Sequence, residues 1–244
     1  MLEMPIIELD SIDSTNNYAM QLIDADKAQH GLTITARSQT GGKGQRGKSW
    51  TDKPGESLLM SIIVTPKLSI SEQFLFNASV ATAIANVLQK LHTGWSVKIK
   101  WPNDIIINDK KAGGILIENV LRGSRWAYSV IGIGLNIKQA DFPSELPFAI
   151  SLKIASGADF EIIQIRNPLI ENILFTIAAS DLKENMKKYN TYLYKLNQKQ
   201  LFSRNNEQWE AIVLNVNTDG TLTVQLEDGT ITSYYHGQVI WEWR

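Results

Sequence analysis

The 244-residue chain contains no cysteine. That absence removes thiol nucleophiles, disulfides and cysteine-based metal or redox centres together. Histidine is nearly as scarce: His30, His92 and His236 stand far apart, without the close spacing of a metal motif, and each reads as an ordinary buried or solvated side chain. Nowhere is there an apolar run approaching the roughly 20 residues of a membrane helix. The first residues, MLEMPIIELD, are acidic where a secretory signal would be basic, so a cytoplasmic location is expected. An excess of one charge is missing too. With a formal net charge of -1, the chain offers no broad basic face for a nucleic-acid backbone. The 43% hydrophobic content is ordinary for a soluble globular protein and is enough to bury a full core.

What the chain does have is concentrated. Gly41 to Trp50 reads GGKGQRGKSW. Glycines without Cβ atoms let backbone N–H groups close on an oxyanion, and Lys43, Arg46 and Lys48 supply positive charge. A basic patch confined to one loop points to a small anionic ligand. The segment Gly42 to Ser49 also satisfies the P-loop pattern, but a P-loop runs directly into a helix. Here Pro54-Gly55 follows, which is turn chemistry, and then Ser57 to Thr65 (SLLMSIIVT) reads as a strand. The nucleotide-hydrolase reading fails on that context.

Along the chain, Ile6 to Leu9 reads as a short strand, and Ser14-Thr15-Asn16 as an N-cap cluster opening a helix. Leu32 to Gln39 alternates like a strand and delivers Gln39 into the glycine-rich loop. Glu72 to Leu91 predicts a long helix, apolar nearly all round and therefore buried. Val97 to Lys100 and Ile105 to Ile107 are β-rich segments separated by Trp101-Pro102-Asn103-Asp104, a turn. Hairpins at Asn108-Asp109 and Arg122-Gly123-Ser124 then join strands over Gly113 to Val120 and Trp126 to Ile137. Glu161 to Leu196 is helical in pattern, with Asn167-Pro168 as a start or kink. From about Phe202, short strands alternate with Asp-Gly turns. The fold class this predicts is α+β: a mixed, mainly antiparallel sheet with helices on one face, plus a small β-barrel-like C-terminal unit. The division falls at residues 1–198 and 199–244.

Polar clusters recur at element ends: Ser14-Thr15-Asn16, the Gln39 to Trp50 loop, Lys100 to Gly114 (KWPNDIIINDKKAGG), and Gly132-Ile133-Gly134-Leu135-Asn136. Two glycines in a strand mark either a bulge or the close approach of a ligand or backbone. In order and spacing these segments resemble the catalytic domain of the biotin–protein ligases over nearly the whole chain, and the C-terminal part resembles that family's SH3-like barrel. No helix-turn-helix precedes Ile6, which is similar to the monofunctional members, so operator DNA is not an expected partner.

The resemblance implies a two-step ligase of class II synthetase-like fold. Biotin and ATP give biotinyl-5′-AMP and pyrophosphate, and a lysine of a biotin carboxyl carrier domain, as in acetyl-CoA carboxylase, then takes the biotinyl group. By carry-over, Lys111, Arg46 and Asp104 are the catalytic residues. Ser14, Thr15, Asn16, Gln39, Gly42, Lys43, Lys111, Gly114 and Gly132 would bind biotin. Lys43, Gln45, Arg46, Trp50, Asn103, Asp104, Lys111 and Asn136 would bind ATP or the adenylate, with Asp104 nearest a phosphate-bound Mg²⁺. Trp101 is expected in the core. The chain departs from the family's Gly-Arg-Gly-Arg-x-Gly-Arg loop, since Lys43, Gln45 and Lys48 replace the arginines; lysine loses the bidentate fork, and glutamine the charge. A monomer or weak homodimer is expected. Lipoate–protein ligases share the fold and its lysine and are the enzyme alternative; a non-catalytic biotin-binding protein is the other.

Overall fold

A computed structural model describes residues 5–179 and 181–243. Its first half is a sheet of seven strands in the order β1-β2-β3-β7-β6-β5-β4. These are β1 (Ile6–Ile12), β2 (Thr33–Gln39), β3 (Ser57–Val64), β4 (Val97–Lys100), β5 (Asp104–Ile107), β6 (Lys110–Arg122) and β7 (Arg125–Asn136). Only β1 and β2 run parallel, because α1 (Thr15–Asp24) crosses between them. Hairpins set the rest. At Asn108-Asp109 both residues have positive φ, 50° and 64°, the twist that a two-residue turn between strands requires.

Three further helices, α2 (Gln73–Leu91), the short α3 (Leu152–Ser156) and α4 (Ile162–Ala179), precede α5 (Leu182–Tyr192). As expected, α2 is buried nearly all round. It packs with α4 and α5 on one face of the sheet. The expectation of a single helix-covered face holds for these, whereas α1 lies on the other: Ala19 and Ile23 share a core with Ile34, Ile63 and Val130. Side chains alternate across a strand. Along β3 and β7, Met60, Ile62, Ile131, Ile133 and Leu135 therefore enter the large core, while Ser61, Gly132 and Gly134 turn to the α1 side.

The helical stretch from Glu161 is two helices, with the non-helical Asp181 between them, whose carboxylate caps α5 through Lys183 and Glu184 N–H. Pro168 lies inside α4 and does not start it. The apolar row Ile165, Leu169, Ile170 and Ile173, each at most 1% exposed, holds the helix together across the carbonyl that proline leaves unpaired.

Five antiparallel strands complete the chain in the order β11-β10-β9-β8-β12: β8 (Lys199–Arg204), β9 (Glu207–Val216), β10 (Leu222–Leu226), β11 (Ile231–Tyr234) and β12 (Ile240–Trp241). This SH3-like sheet shares its core residues Phe202, Val213 and Leu222 with the first half. The turn between β4 and β5 is tied to it at two points: Trp101 Nε1 donates to Gly220 O at 2.9 Å and Lys100 Nζ to Trp241 O at 2.8 Å.

Candidate active site

α1 covers β2, β3 and part of β7, and beside it on the same face a cleft of about 680 Å³ opens between the glycine-rich loop, β6, β7 and the second sheet. At its inner end the N-cap cluster does something other than cap. Ser14 holds the N-cap position without a side-chain capping bond. Thr15 donates both its N–H and its hydroxyl to Gln39 Oε1, at 2.8 and 3.1 Å. Ser61 Oγ lies 2.7 Å from Thr15 Oγ1 and 2.6 Å from Asn16 Oδ1, and Asn16 Nδ2 donates to Glu118 at 2.7 Å. The side chains that line this end, Ser14, Thr15, Asn16 and Gln39, are neutral, polar and preorganised, a seat for a head group that both donates and accepts hydrogen bonds.

Two glycines floor the cleft. A Cβ on Gly132 would stand 2.3 Å from Asn16 Oδ1, and one on Gly134 would stand 2.7 Å from the Trp50 ring. β7 pairs regularly through both glycines, so neither is a bulge, and what comes close is neither ligand nor backbone but the side chains of Asn16 and Trp50. Trp50 lies on Gly134 with its Nε1 buried and without a partner among the described residues.

The cations that line the cleft come from the glycine-rich loop and from Lys100 and Lys111. The loop is a closed hairpin, with Gly44 N–H on Lys48 O at 2.7 Å and Trp50 N–H on Gly42 O at 2.9 Å. Its tip is a single tight turn, Gln45–Gly47, and no helix follows, as the P-loop exclusion requires. Lys43 turns back to Asn17, and Arg46 reaches forward to lie against Gly237 of the second sheet. Lys111 Nζ is 2.7 Å from Asp104 Oδ1, side by side where β5 meets β6. Neighbouring Lys110 is exposed.

Most of the predicted residues line this cleft: Ser14, Thr15, Asn16 and Gln39 at the neutral end, and Lys43, Gln45, Arg46 and Trp50 from the loop. Asn103, Asp104, Lys111, Gly114 and Gly132 complete them. Gly42 and Asn136 are not among the lining residues. Asn136 is buried and donates to Ile150 O at 3.1 Å. Asn103 does border the cleft, yet its Nδ2 is taken by Ile115 O at 2.6 Å. Trp101 is in the core, 5% exposed.

Sequence reasoning assigned no role to Lys100, which is 5% exposed. Its ammonium sits 3.9 Å from the Trp243 ring centroid. Burial pushes its pKa down to about 8, with Asp104 opposing and Lys111 reinforcing the shift. A lysine closing the apolar strand Val97–Lys100 was the available signal; its indole partners lie some 140 residues on and left none. Ser61, a hydroxyl within the apolar run of β3, was a legible signal as well. His236 also lines the cleft, edge-on to Trp101 at 5.6 Å. Burial, then Arg46, holds its pKa below the usual imidazole value, with Lys48 adding and Asp104 opposing.

Behind the loop, Asp52 is half-buried with both carboxylate oxygens lacking partners among the described residues. Burial, and next the charge of Glu56, raise its pKa to about 6. The folded state therefore keeps this proton to a higher pH than the unfolded chain, and stability falls as pH rises from about 4 to about 6. Asp52→Asn removes the penalty, worth about 1 kcal/mol after discounting for solvent screening. The variant should melt about 3 °C higher at pH 8 and no higher at pH 4. Scanning calorimetry at both pH values checks this, and an equal shift at both would exclude the ionisation as its cause.

The chain belongs to the Biotin/lipoate A/B protein ligase family, whose sequence model matches residues 8–136. Among its relatives are the bifunctional ligase/repressor BirA of Bacillus subtilis, 34% identical over 172 residues (69% of this chain and 51% of that one), and the biotin–[acetyl-CoA-carboxylase] ligase of Paracoccus denitrificans, 31% identical over 130 residues and 52% of each chain. The chain thus spans about half the length of these curated relatives. In fold it is similar to the biotin protein ligase from Aquifex aeolicus in complex with biotin and ATP, with a TM-score of 0.81 at 21% identity over 98% of this chain and 99% of that one. Among the described residues, no three His, Asp or Glu converge to hold a metal, and no helix is long and apolar enough to cross a membrane.

Proposed function

We propose that the protein is an ATP-dependent biotin–protein ligase. It would join biotin to the α-phosphate of ATP, releasing pyrophosphate, and pass the biotinyl group to a lysine of a biotin carboxyl carrier domain. The supporting observation is the cleft's lining: neutral hydrogen-bonding side chains at Ser14, Thr15, Asn16 and Gln39, cations from the loop, and the Lys111 ammonium 2.7 Å from the Asp104 carboxylate. Biotin is neutral at its ureido end and anionic at the other, and ATP adds further negative charge, so the pair suits that lining.

In this proposal Ser14, Thr15, Asn16 and Gln39 hold the ureido head, while Gly132 and Gly114 admit its rings to the sheet. Lys43 faces the carboxylate; Gln45, Arg46 and Asn103 belong to the nucleotide side, and Trp50 packs near the adenine. Lys111 leaves Asp104 to bridge the biotin carboxylate and the α-phosphate, where a fixed point charge meets charge that builds in the transition state. No enzyme nucleophile is required, since positioning and charge suffice for phosphoryl chemistry. Mg²⁺ would neutralise phosphate charge. Asp104 fits it, because its carboxylate lines the cleft beside the Lys111 ammonium and phosphate-bound Mg²⁺ takes one or two carboxylates. Residues 1–198 form the catalytic part, and 199–244 the part that closes over ATP and meets the carrier.

The test is ATP–pyrophosphate exchange with biotin, with lipoate and with neither. Exchange with biotin alone is expected; exchange with lipoate alone would move the assignment to the sister branch, and none would leave a binding protein. A second expectation concerns Gln45, whose Oε1 is buried without a partner among the described residues. Restoring a cation there by Gln45→Arg adds a charge-assisted hydrogen bond to the adenylate and should slow its release about tenfold. Stopped-flow dissociation of biotinyl-5′-AMP measures this, and an unchanged rate would refute it.

A further inference from the structure

Two cations of the glycine-rich loop are drawn in opposite directions. Arg46 reaches forward onto Gly237 of the second sheet, whereas Lys43, which also lines the cleft, donates its ammonium back to Asn17 Oδ1 in the first turn of α1. Asn17 is half-buried and does not itself line the cleft. Its Nδ2 donates in turn to Asp13 Oδ2. That bond fixes the sense of the amide: the NH₂ group must face the carboxylate, which accepts only, so the oxygen must face the ammonium, which donates only. Asp13 is also where the loop is fastened to the start of α1. Its carbonyl accepts the Gly41 N–H at 2.8 Å, and the carbonyl of Ile12 beside it accepts the Thr40 N–H at 2.9 Å. The hydrogen bond from Asn17, and next that from the Ser14 N–H, hold the Asp13 carboxyl below the usual carboxylate range, so it is ionised at neutral pH.

We propose that Asn17, oriented by Asp13, is a positioning residue that holds Lys43 ready for the carboxylate of biotin and so sets the preference for the acid over its neutral derivatives. The inference rests on the ligase activity proposed above. An ammonium carries three donors, and Asn17 occupies one of them, leaving two for a ligand. Because the amide is neutral, it restrains the lysine without cancelling its charge, as a carboxylate in its place would. Lys43 is exposed, and an unrestrained lysine on an exposed loop samples many rotamers, so the ligand would have to order it on binding. With Asn17 in place that ordering is done beforehand. The same contact divides the loop's labour: Lys43 stays with the acid, and Arg46 is left to the nucleotide.

The experiment titrates the full chain calorimetrically with biotin and with biotin methyl ester, which keeps the ureido head and rings and lacks the charge. Asn17→Leu keeps the shape of the side chain and removes the acceptor; Lys43→Met and the double variant complete a cycle. The preference for biotin over its ester should fall about fivefold in Asn17→Leu, since the ligand must now order the lysine, while the ester's own affinity stays within about twofold. Added to Lys43→Met, Asn17→Leu should cost nothing further, because the two act as one unit. Asp13→Ala, which leaves the amide free to turn, should lower the preference in the same direction by less. The inference is overturned if Asn17→Leu leaves the preference unchanged, or if it weakens acid and ester equally, which would make Asn17 a structural residue of α1. An equal loss in the Lys43→Met background overturns it too, as does a preference that rises in Asp13→Ala. Should the unsubstituted protein bind neither biotin nor its ester, the ligase assignment itself fails, and the inference with it.

Discussion

Replacing Lys111 with alanine is expected to lower biotin-dependent ATP–pyrophosphate exchange about a thousandfold, the upper range for removing one preorganised charge from a transition state. Biotin affinity should change by less than about tenfold, because the ureido seat is made by other side chains. The fold should be indifferent. Lys111 and Asp104 are 36% and 21% exposed, and pairs in contact with water add at most about 1 kcal/mol. Lys111→Arg should rescue little, since a guanidinium fork does not reproduce a point charge. Exchange assays and titration calorimetry on the same preparations decide the matter. Retention of exchange within about tenfold of the unsubstituted rate would take Lys111 out of the chemistry.

Gly132→Ala is the second large effect, and it should fall on binding. The added methyl stands 2.3 Å from Asn16 Oδ1, and Asn16 has little freedom to retreat: Ser61 contacts its oxygen and Glu118 holds its nitrogen. One methyl thus dislodges a network that also fixes Thr15 and Gln39. Biotin affinity should drop about a hundredfold, equivalent to roughly 2.7 kcal/mol. The site faces a cleft and not the packed core, so the melting temperature should move by only a few degrees. Calorimetric titration with biotin and a melting curve separate the two. Near-normal affinity would place the ureido head elsewhere, and a collapsed melting temperature would make Gly132 a folding residue.

Much of this arrangement was legible from the sequence because its signals are local. Alternation in Leu32 to Gln39, the Asn108-Asp109 turn and the apolar run of α2 each fix their own element within a few residues. Through Pro54-Gly55 the glycine loop also announced that a strand and not a helix follows it. What escaped depends on contacts between distant parts of the chain. Lys100 meets Trp241 across 141 positions, and nothing near residue 100 announces an indole. The side of the sheet on which α1 packs follows from the parity of Ile63 and Val130, which a continuous apolar strand does not display. Asn136 looked like a nucleotide ligand because amides serve ligands and backbone equally well; only the folded chain shows it buried and bound to a backbone carbonyl.

The alternation along β3 and β7 gives this protein two nearly independent sets of positions. Ile131, Ile133 and Leu135 face the helices, and changing them risks the fold. Gly132, Gly134, Ser61 and Leu59 face the α1 side, where a change alters what can be held. Selection for a biotin analogue can therefore be confined to every second residue of these strands. A library built on that rule redraws the pocket while leaving the scaffold's stability in reserve for it.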